Sequence, residues 1–356
     1  MRVMQLTTDL RFAGAERVIV SLARGLRGRG VECAVAGLFR GGEPSGRTSA
    51  LLREAGFPVY CARMERKWML WRAVGLRRFI VGWQPDVLHC HMFHANAASV
   101  FLRATGLACP VLWTYHNVEH RSLPLRRAFY RLGRPLADRQ VYVSGAVRDH
   151  QHGVAGTGRR EAVIYNGLDP TRFLDIAPRP GPVFGSVGRL VPQKGYDLLV
   201  RAFARLCRHD DEAQLKIAGD GPTRSDLLRL IRSLGVSGRA ELAGFVEDVP
   251  GFLSGLNAFV VPSRTEGFGM TLLEALAAGL PCIASRVGAL PEIGRRVVTW
   301  VEPEDVEGLH RAMAALKREA WSPKAIARRR RRAKTFTVPR MVARYLSLYR
   351  SLAGVG

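Results

Sequence analysis

The sequence predicts an α/β protein made of two Rossmann-like, doubly wound parallel-sheet domains in tandem, facing a central cleft. Three observations carry this expectation. Short buried-strand runs alternate with amphipathic helical patterns, as parallel strands covered on both faces require. The alternation breaks at a Pro- and Gly-rich stretch over residues 169–182 and then starts again. The 356 residues also suffice for two domains, each with its own core.

In order, "RVMQLTT" reads as a buried strand and "DLRFAGAE" as a loop of small residues. "ERVIVSLARGLRGRG" is an amphipathic helix closed by Gly30, and "VECAVAGLF" the second strand. "PDVLHCH" with "NAASVFLRATG", then "PVLWTYH" and "RQVYVSGAVRDHQ", extend the first domain to residue 168. After a linker over 169–182, "PVFGSVGRL" runs into a Gly-containing loop and the helix "GYDLLVRAFARLC". "AQLKIAGDG", "TRSDLLRLIRSLG", "AELAGFV", "NAFVVPS", "GMTLLEALAAG", "PCIASRVG" and "VVTWVEP" complete a second domain over 183–335. In such sheets ligands bind at the carboxyl ends of the strands.

Composition narrows the classes. An apolar fraction of 47% with 24% charged residues is that of a globular protein. "MRVMQLTTDLRFAG" lacks the apolar core of a signal peptide, and no run approaches the ~20 apolar residues that cross a bilayer, so a soluble, cytoplasmic protein is expected. Six scattered cysteines without a CxxC pair suggest neither a disulfide framework nor a zinc site. His89, His91 and His94 in "HCHMFH" could form a ligand cluster, but they read better as a strand end and its loop, so no metal site is expected. The net charge of +24 is uneven: +14 over residues 1–180, −2 over 181–310 and +12 over 311–356.

Three glycine-containing loops point at the expected cleft. Gly14 in "FAGAER" opens the first helix, where free N–H groups can hold an anion. "GRLVPQKG" offers Arg189 and Lys194 beside Gly188 and Gly195. "EGFGM" supplies the amides of Gly267, Phe268, Gly269 and Met270 ahead of another helix start. Any one of these alone is an ordinary turn; three at corresponding places suit a diphosphate. Glu266 and Glu274 bracket the last loop, and a carboxylate can accept hydrogen bonds from two adjacent hydroxyls, such as those of a ribose or a sugar.

"IYNGLDPTRF", "SVGRLVPQKGYDLLVRAF", "KIAGDGP", "LAGFVEDVP" and "VVPSRTEGFGMTLLEALAAGLPCIASRVGALPEI" together resemble the retaining nucleotide-sugar glycosyltransferases of family 4, which have the GT-B fold. The resemblance is strongest over 160–295. It implies that Arg189 and Lys194 bind a donor diphosphate, Glu274 its ribose and Glu266 the sugar hydroxyls. The amides from Gly267 to Thr271 would meet sugar and phosphate, and Val246 the base. Gly14 matches the loop that approaches the phosphate, although this chain has Ala13-Gly14 where the family has a Gly-Gly pair. His116 in "TYHN" matches a histidine near the sugar's C6 hydroxyl. The implied chemistry retains the anomeric configuration and needs neither metal nor cofactor. A UDP- or GDP-sugar would be the donor, and His116, Glu266, Arg189 and Lys194 the catalytic set. In this fold the last helix, here 336–356, returns to the first domain.

The acceptor side is basic. "ERKWMLWRAVGLRRFIVGW" mixes Trp68 and Trp71 with Arg77 and Arg78, and "HRSLPLRRAFYRLGR" repeats the mixture. Such a helix suits an anionic membrane interface, or equally a core-packed helix with a solvated edge. The run Arg328–Arg332 could add to the same surface. A lipid-linked or glycan acceptor, reached by peripheral association with the inner face of the plasma membrane, fits best. A soluble transferase acting on a small metabolite and an epimerase on the same fold are the alternatives. Nucleic-acid binding, which a pI near 11 invites, lacks any recognition motif.

Overall fold

A computed structural model of the chain describes residues 1–10, 14–39, 46–64, 72–118, 124–158 and 160–355. It divides into two compact units, Met1–Gly167 with Val338–Gly356, and Leu168–Thr337. In the first unit, β1 (Arg2–Thr7), β2 (Glu32–Phe39), β3 (Val59–Met64), β4 (Val87–His91), β5 (Val111–Tyr115), β6 (Arg139–Tyr142) and β7 (Glu161–Val163) form one parallel sheet. Its order is β3-β2-β1-β4-β5-β6-β7. β4 and β5 are buried at every position, because crossover helices cover both faces of a parallel sheet. The sequence reading gave no sign of β7. Three half-buried edge residues are too few to show a period.

The helix Gly14–Arg27 carries Glu16 in its first turn and Arg24 and Arg27 in its last, as the helix dipole favours. It turns Val18, Ile19, Leu22 and Leu26 inward. The terminal helix Val338–Ala353 packs closely against it: a side chain at Gly25 would fall 2.4 Å from Val342. Tyr345 and Tyr349 of that helix are fully buried in the first unit.

The second unit builds β8 (Val183–Val187), β9 (Gln214–Ala218), β10 (Ala240–Gly244), β11 (Ala258–Val261), β12 (Cys282–Ser285) and β13 (Thr299–Val301) into a second parallel sheet, ordered β10-β9-β8-β11-β12-β13. The helix Tyr196–Leu206 supplies much of its core through Leu199, Ala202 and Phe203. Strand order reverses between β1 and β4 in the first sheet, and between β8 and β11 in the second. Loops leaving such a pair diverge and open a crevice at the strands' carboxyl ends.

Two expectations are corrected here. The segment 169–182 is no free linker but a packed part of the second unit: Pro170–Phe173 is a short 3-10 turn, and Phe173 is fully buried. The arginine run belongs to the helix Pro323–Ala333 of the second unit and is largely spent on its packing. Arg329 is buried and donates to the carbonyls of Gly279 (3.1 Å) and Ala320 (2.7 Å). Arg330 reaches the carbonyl of Ile176. Arg332 donates to that of Ile293 at 2.7 Å and lies over the Phe336 ring. The end of the helix Met270–Ala278 leaves carbonyls that attract cations, so these arginines act as packing groups as well as charge.

Candidate functional site

The second unit's crevice is built from the loops that follow β8 and β11. Pro192–Lys194 makes one 3-10 turn after β8. It ends at Gly195, which opens the helix Tyr196–Leu206. Pro262 to Gly269 forms the second loop and leads into Met270–Ala278. Arg264 holds the two together. Its backbone N–H donates to the Gln193 carbonyl (2.8 Å) and its guanidinium to the Pro192 carbonyl (2.7 Å). The same guanidinium forms a two-pronged pair with Asp197 (2.7 and 2.8 Å) and reaches Glu304 at 2.6 Å. Burial works against the Asp197 charge, but the Arg264 hydrogen bonds outweigh it and hold the carboxyl below its usual range. Sequence reading missed Arg264, since nothing in "SRTEGFG" tells an ion-paired arginine from a solvated one.

Within this frame Lys194 Nζ donates to Glu266 Oε2 at 2.8 Å, and Ser263 Oγ donates to the same oxygen at 3.2 Å. The Glu266 carbonyl accepts from Ala289 N–H at 3.2 Å, which fixes the loop from behind. A cation and a carboxylate expected to serve one ligand are thus neighbours. Gly188 directly follows β8, and Arg189 beside it is exposed. Gly267, Phe268 and Gly269 carry the chain to the helix start, with Met270 and Thr271 in its first turn. Glu274 lies one turn further on and is buried. Val246 follows β10, half-buried next to an exposed Phe245.

In the first unit Gly14 is the first residue of its helix, directly after residues 11–13, which lie outside the described set. His116 follows β5 and is 8% exposed. Its Nε2 lies 2.9 Å from His91 Nδ1, and burial pushes its pKa down to about 4, so the ring is neutral at neutral pH. His89 and His91, candidates for a ligand cluster, point into this buried side of the sheet and are hydrogen-bonded to protein groups. His94 sits in the next helix, edge-on to Phe39. Among the described residues no group of three His, Cys, Asp or Glu could hold a metal ion.

Of the membrane candidates, Trp68 and Trp71 lie outside the described residues. Arg77 donates to the Thr105 carbonyl at 2.9 and 3.3 Å, while Arg78 is exposed. Their helix, Arg72–Trp83, buries Leu76 and Ile80 and stacks Phe79 on Tyr60. The described part of that segment is therefore core-packed, although Val74 and Val81 are exposed.

Two family models cover the chain almost end to end. Glycosyltransferase Family 4 matches residues 12–172, and Glycosyl transferases group 1 matches 175–334. The lipopolysaccharide core biosynthesis glycosyltransferase LpsE of Rhizobium meliloti is 30% identical over 286 residues, which are 77% of this chain and 76% of that one. The chain belongs to the GT-B glycosyltransferases. Glycogen synthase of Mycobacterium tuberculosis is 33% identical over 268 residues, 70% of this chain but only 64% of its own length. The GT-B fold itself matches the solved structure of Anabaena Alr3699/HepE in complex with UDP and glucose. The TM-score is 0.85 at 19% identity, over 99% of this chain and all of that one. No helix among the described residues of this GT-B chain is long and apolar enough to cross a membrane.

Proposed function

We propose that the chain moves a sugar from a UDP- or GDP-sugar to a hydroxyl of a glycan or lipid-linked acceptor, with retention of configuration, in envelope polysaccharide or glycolipid assembly. The Lys194–Glu266 pair beside the helix start at Met270, at the switch point of the second sheet, carries this reading. Arg189, Lys194 and the helix N-terminus stabilise the charge that grows on the leaving diphosphate. The acceptor oxygen attacks from the side on which the diphosphate departs, and that phosphate takes its proton. Glu266 receives the sugar's hydroxyls, Glu274 the ribose and Val246 the base; for Gly14 and His116 the family resemblance supports roles toward phosphate and sugar. LpsE, named for lipopolysaccharide core biosynthesis, and HepE, solved with UDP and glucose, support the substrate class. Thermal shift against UDP- and GDP-sugars is the direct test. A ligand at 100 times its Kd adds ~2.7 kcal/mol of stability, and a flat response to both sets would refute the donor assignment.

The cations that serve the diphosphate belong to the protein, so turnover is expected to continue unchanged in EDTA. Loss of activity under chelation, restored by Mg²⁺ or Mn²⁺, would replace this mechanism with a metal-assisted one.

For the anionic membrane surface, support comes from the helix Pro124–Gly133. Leu125 and Leu132 are 83% and 79% exposed, two helical turns apart on one face, and Leu136 just beyond is also exposed. From Arg121 to Ala137 the sequence has five arginines and no acidic residue. Arg134 turns inward to Glu161 (2.8 Å), whereas Arg127 and Arg131 are exposed beside the leucines. Exposed leucines flanked by arginine match the interface of an anionic bilayer, where each cation adds about 1 kcal/mol. Leu125→Ser with Leu132→Ser is expected to abolish flotation with anionic vesicles and to leave nucleotide binding intact. Unchanged flotation would move the docking face elsewhere, and no flotation of the unaltered protein would favour a small soluble acceptor.

A further inference from the structure

β1, β4 and β5 are neighbours in the first sheet, and their pairing sets Gln5 opposite His89 and His91 opposite Thr114. Side chains alternate along a strand, so Gln5, His89, His91, Thr114 and, just past the strand end, His116 share one face. The terminal helix covers that face with Tyr345 and Tyr349, and all of these groups are buried. They form one hydrogen-bonded chain. His116 Nε2 lies 2.9 Å from His91 Nδ1, and His91 Nε2 lies 2.7 Å from Gln5 Oε1. Gln5 Nε2 donates to the Tyr349 hydroxyl at 3.3 Å. That hydroxyl is 2.6 Å from His89 Nδ1, and His89 Nε2 is 2.6 Å from Thr114 Oγ1.

With the Gln5 carbonyl oxygen facing His91 and its amide nitrogen facing Tyr349, the protons along this chain run one way. The Gln5 carbonyl oxygen only accepts, so His91 Nε2 must carry a hydrogen. Burial holds His91, like His116 and His89, well below the ordinary histidine pKa, so each ring is neutral with one N–H. His91 Nδ1 is then a bare acceptor, and the hydrogen shared with His116 belongs to His116 Nε2. At the other end, Tyr349 receives the Gln5 amide hydrogen and passes its own to His89 Nδ1, whose Nε2–H goes to Thr114. Each of these donors has an acceptor. Turning the Gln5 amide over would reverse every one of them and give His116 an Nδ1–H instead.

We propose that His91, seated by Gln5 and through it by the terminal helix, is a positioning residue that fixes His116 with its proton on Nε2 and a bare Nδ1 for the donor sugar. The inference rests on the reading of His116 as a sugar contact. A bare ring nitrogen accepts a hydroxyl's hydrogen and offers nothing to a phosphate or carboxylate oxygen. The terminal helix, remote in sequence, thus helps set how the site meets its substrate.

Long-range nitrogen–proton NMR of the full chain, labelled with ¹⁵N-histidine and assigned with His116→Ala, tests this without any donor. His116 in the unaltered protein is expected to show a protonated Nε2 and a bare Nδ1 at pH 7. His91→Phe keeps an aromatic ring but removes the acceptor, so His116 should lose that fixed tautomer and kcat/KM should fall roughly 10- to 100-fold. His91→Asn, which can offer a carbonyl oxygen near the Nδ1 position, should restore both in part. A protonated Nδ1 in the unaltered protein, or a tautomer indifferent to His91→Phe, overturns the proposal, and the first holds even if that variant does not fold. A tautomer that responds as expected while turnover is unchanged would instead refute the sugar-contact reading and leave the relay standing.

Discussion

Lys194→Ala is expected to weaken UDP or GDP binding roughly 10- to 100-fold while leaving the affinity for the bare nucleoside unchanged. Glu274→Ala is expected to weaken both by a similar factor. The difference follows from what each group meets: lysine removes charge from the diphosphate, whereas glutamate removes the acceptors for a ribose diol. The 2.8 Å contact between Lys194 and Glu266 adds a second consequence. Deleting the lysine leaves the Glu266 carboxylate facing an anionic ligand with its repulsion uncompensated. Lys194→Ala combined with Glu266→Gln should therefore recover part of the lost diphosphate affinity. Calorimetry with nucleoside and nucleotide reads all of these. Equal losses for nucleoside and diphosphate in Lys194→Ala, or no recovery in the double variant, would refute the assignment of this pair.

Gly195→Ala is expected to cost about 3 kcal/mol of stability in the second unit, and to lower diphosphate affinity with it. Gly195 sits at φ +66°, where any side chain is strained, and its Cβ would lie 2.0 Å from the Pro262 carbonyl oxygen. That oxygen is backbone in the partner loop, so no rotamer change relieves the contact. The β8 and β11 loops would have to part, carrying Lys194 away from Glu266. Gly235 is the control, with φ +71° and no heavy atom within 4 Å of the added carbon. Gly235→Ala should cost only ~1 kcal/mol, the strain of the left-handed backbone alone. Urea unfolding of both variants separates strain from collision, and equal costs would mean that the loop contact does not constrain the site.

Much of the fold was legible in the sequence because parallel strands are buried on both faces. Runs such as "DVLHCH", "PVLWTYH" and "NAFVVPS" show that burial directly, and the restart of the pattern after residue 182 shows that it happens twice. The candidate site was partly legible for a similar reason: glycine at the strand ends, followed by a cation or a carboxylate at a helix start, is a local arrangement. The helix face proposed to meet a membrane was harder. Charge and aromatics drew attention to Arg77, yet a single strip of sequence does not tell a helix face turned to the sheet from one turned to water.

By itself, then, the sequence determined two tandem α/β domains, the glycine loops with Arg189, Lys194, Glu266 and Glu274, and the uneven charge. Those are properties of period, spacing and composition, which neighbouring residues carry. Only the tertiary structure decided that Lys194 meets Glu266 across 72 positions, and that Arg264 ties the two loops together. The same holds for Arg329, spent on a helix end, and for His116, backed by His91, Gln5 and a tyrosine from the far end of the chain. Each of these is a hydrogen bond between groups distant in sequence, and burial, near complete around His116 and partial around Lys194 and Arg264, limits the water that would otherwise compete. The chain has to fold before such a pair exists.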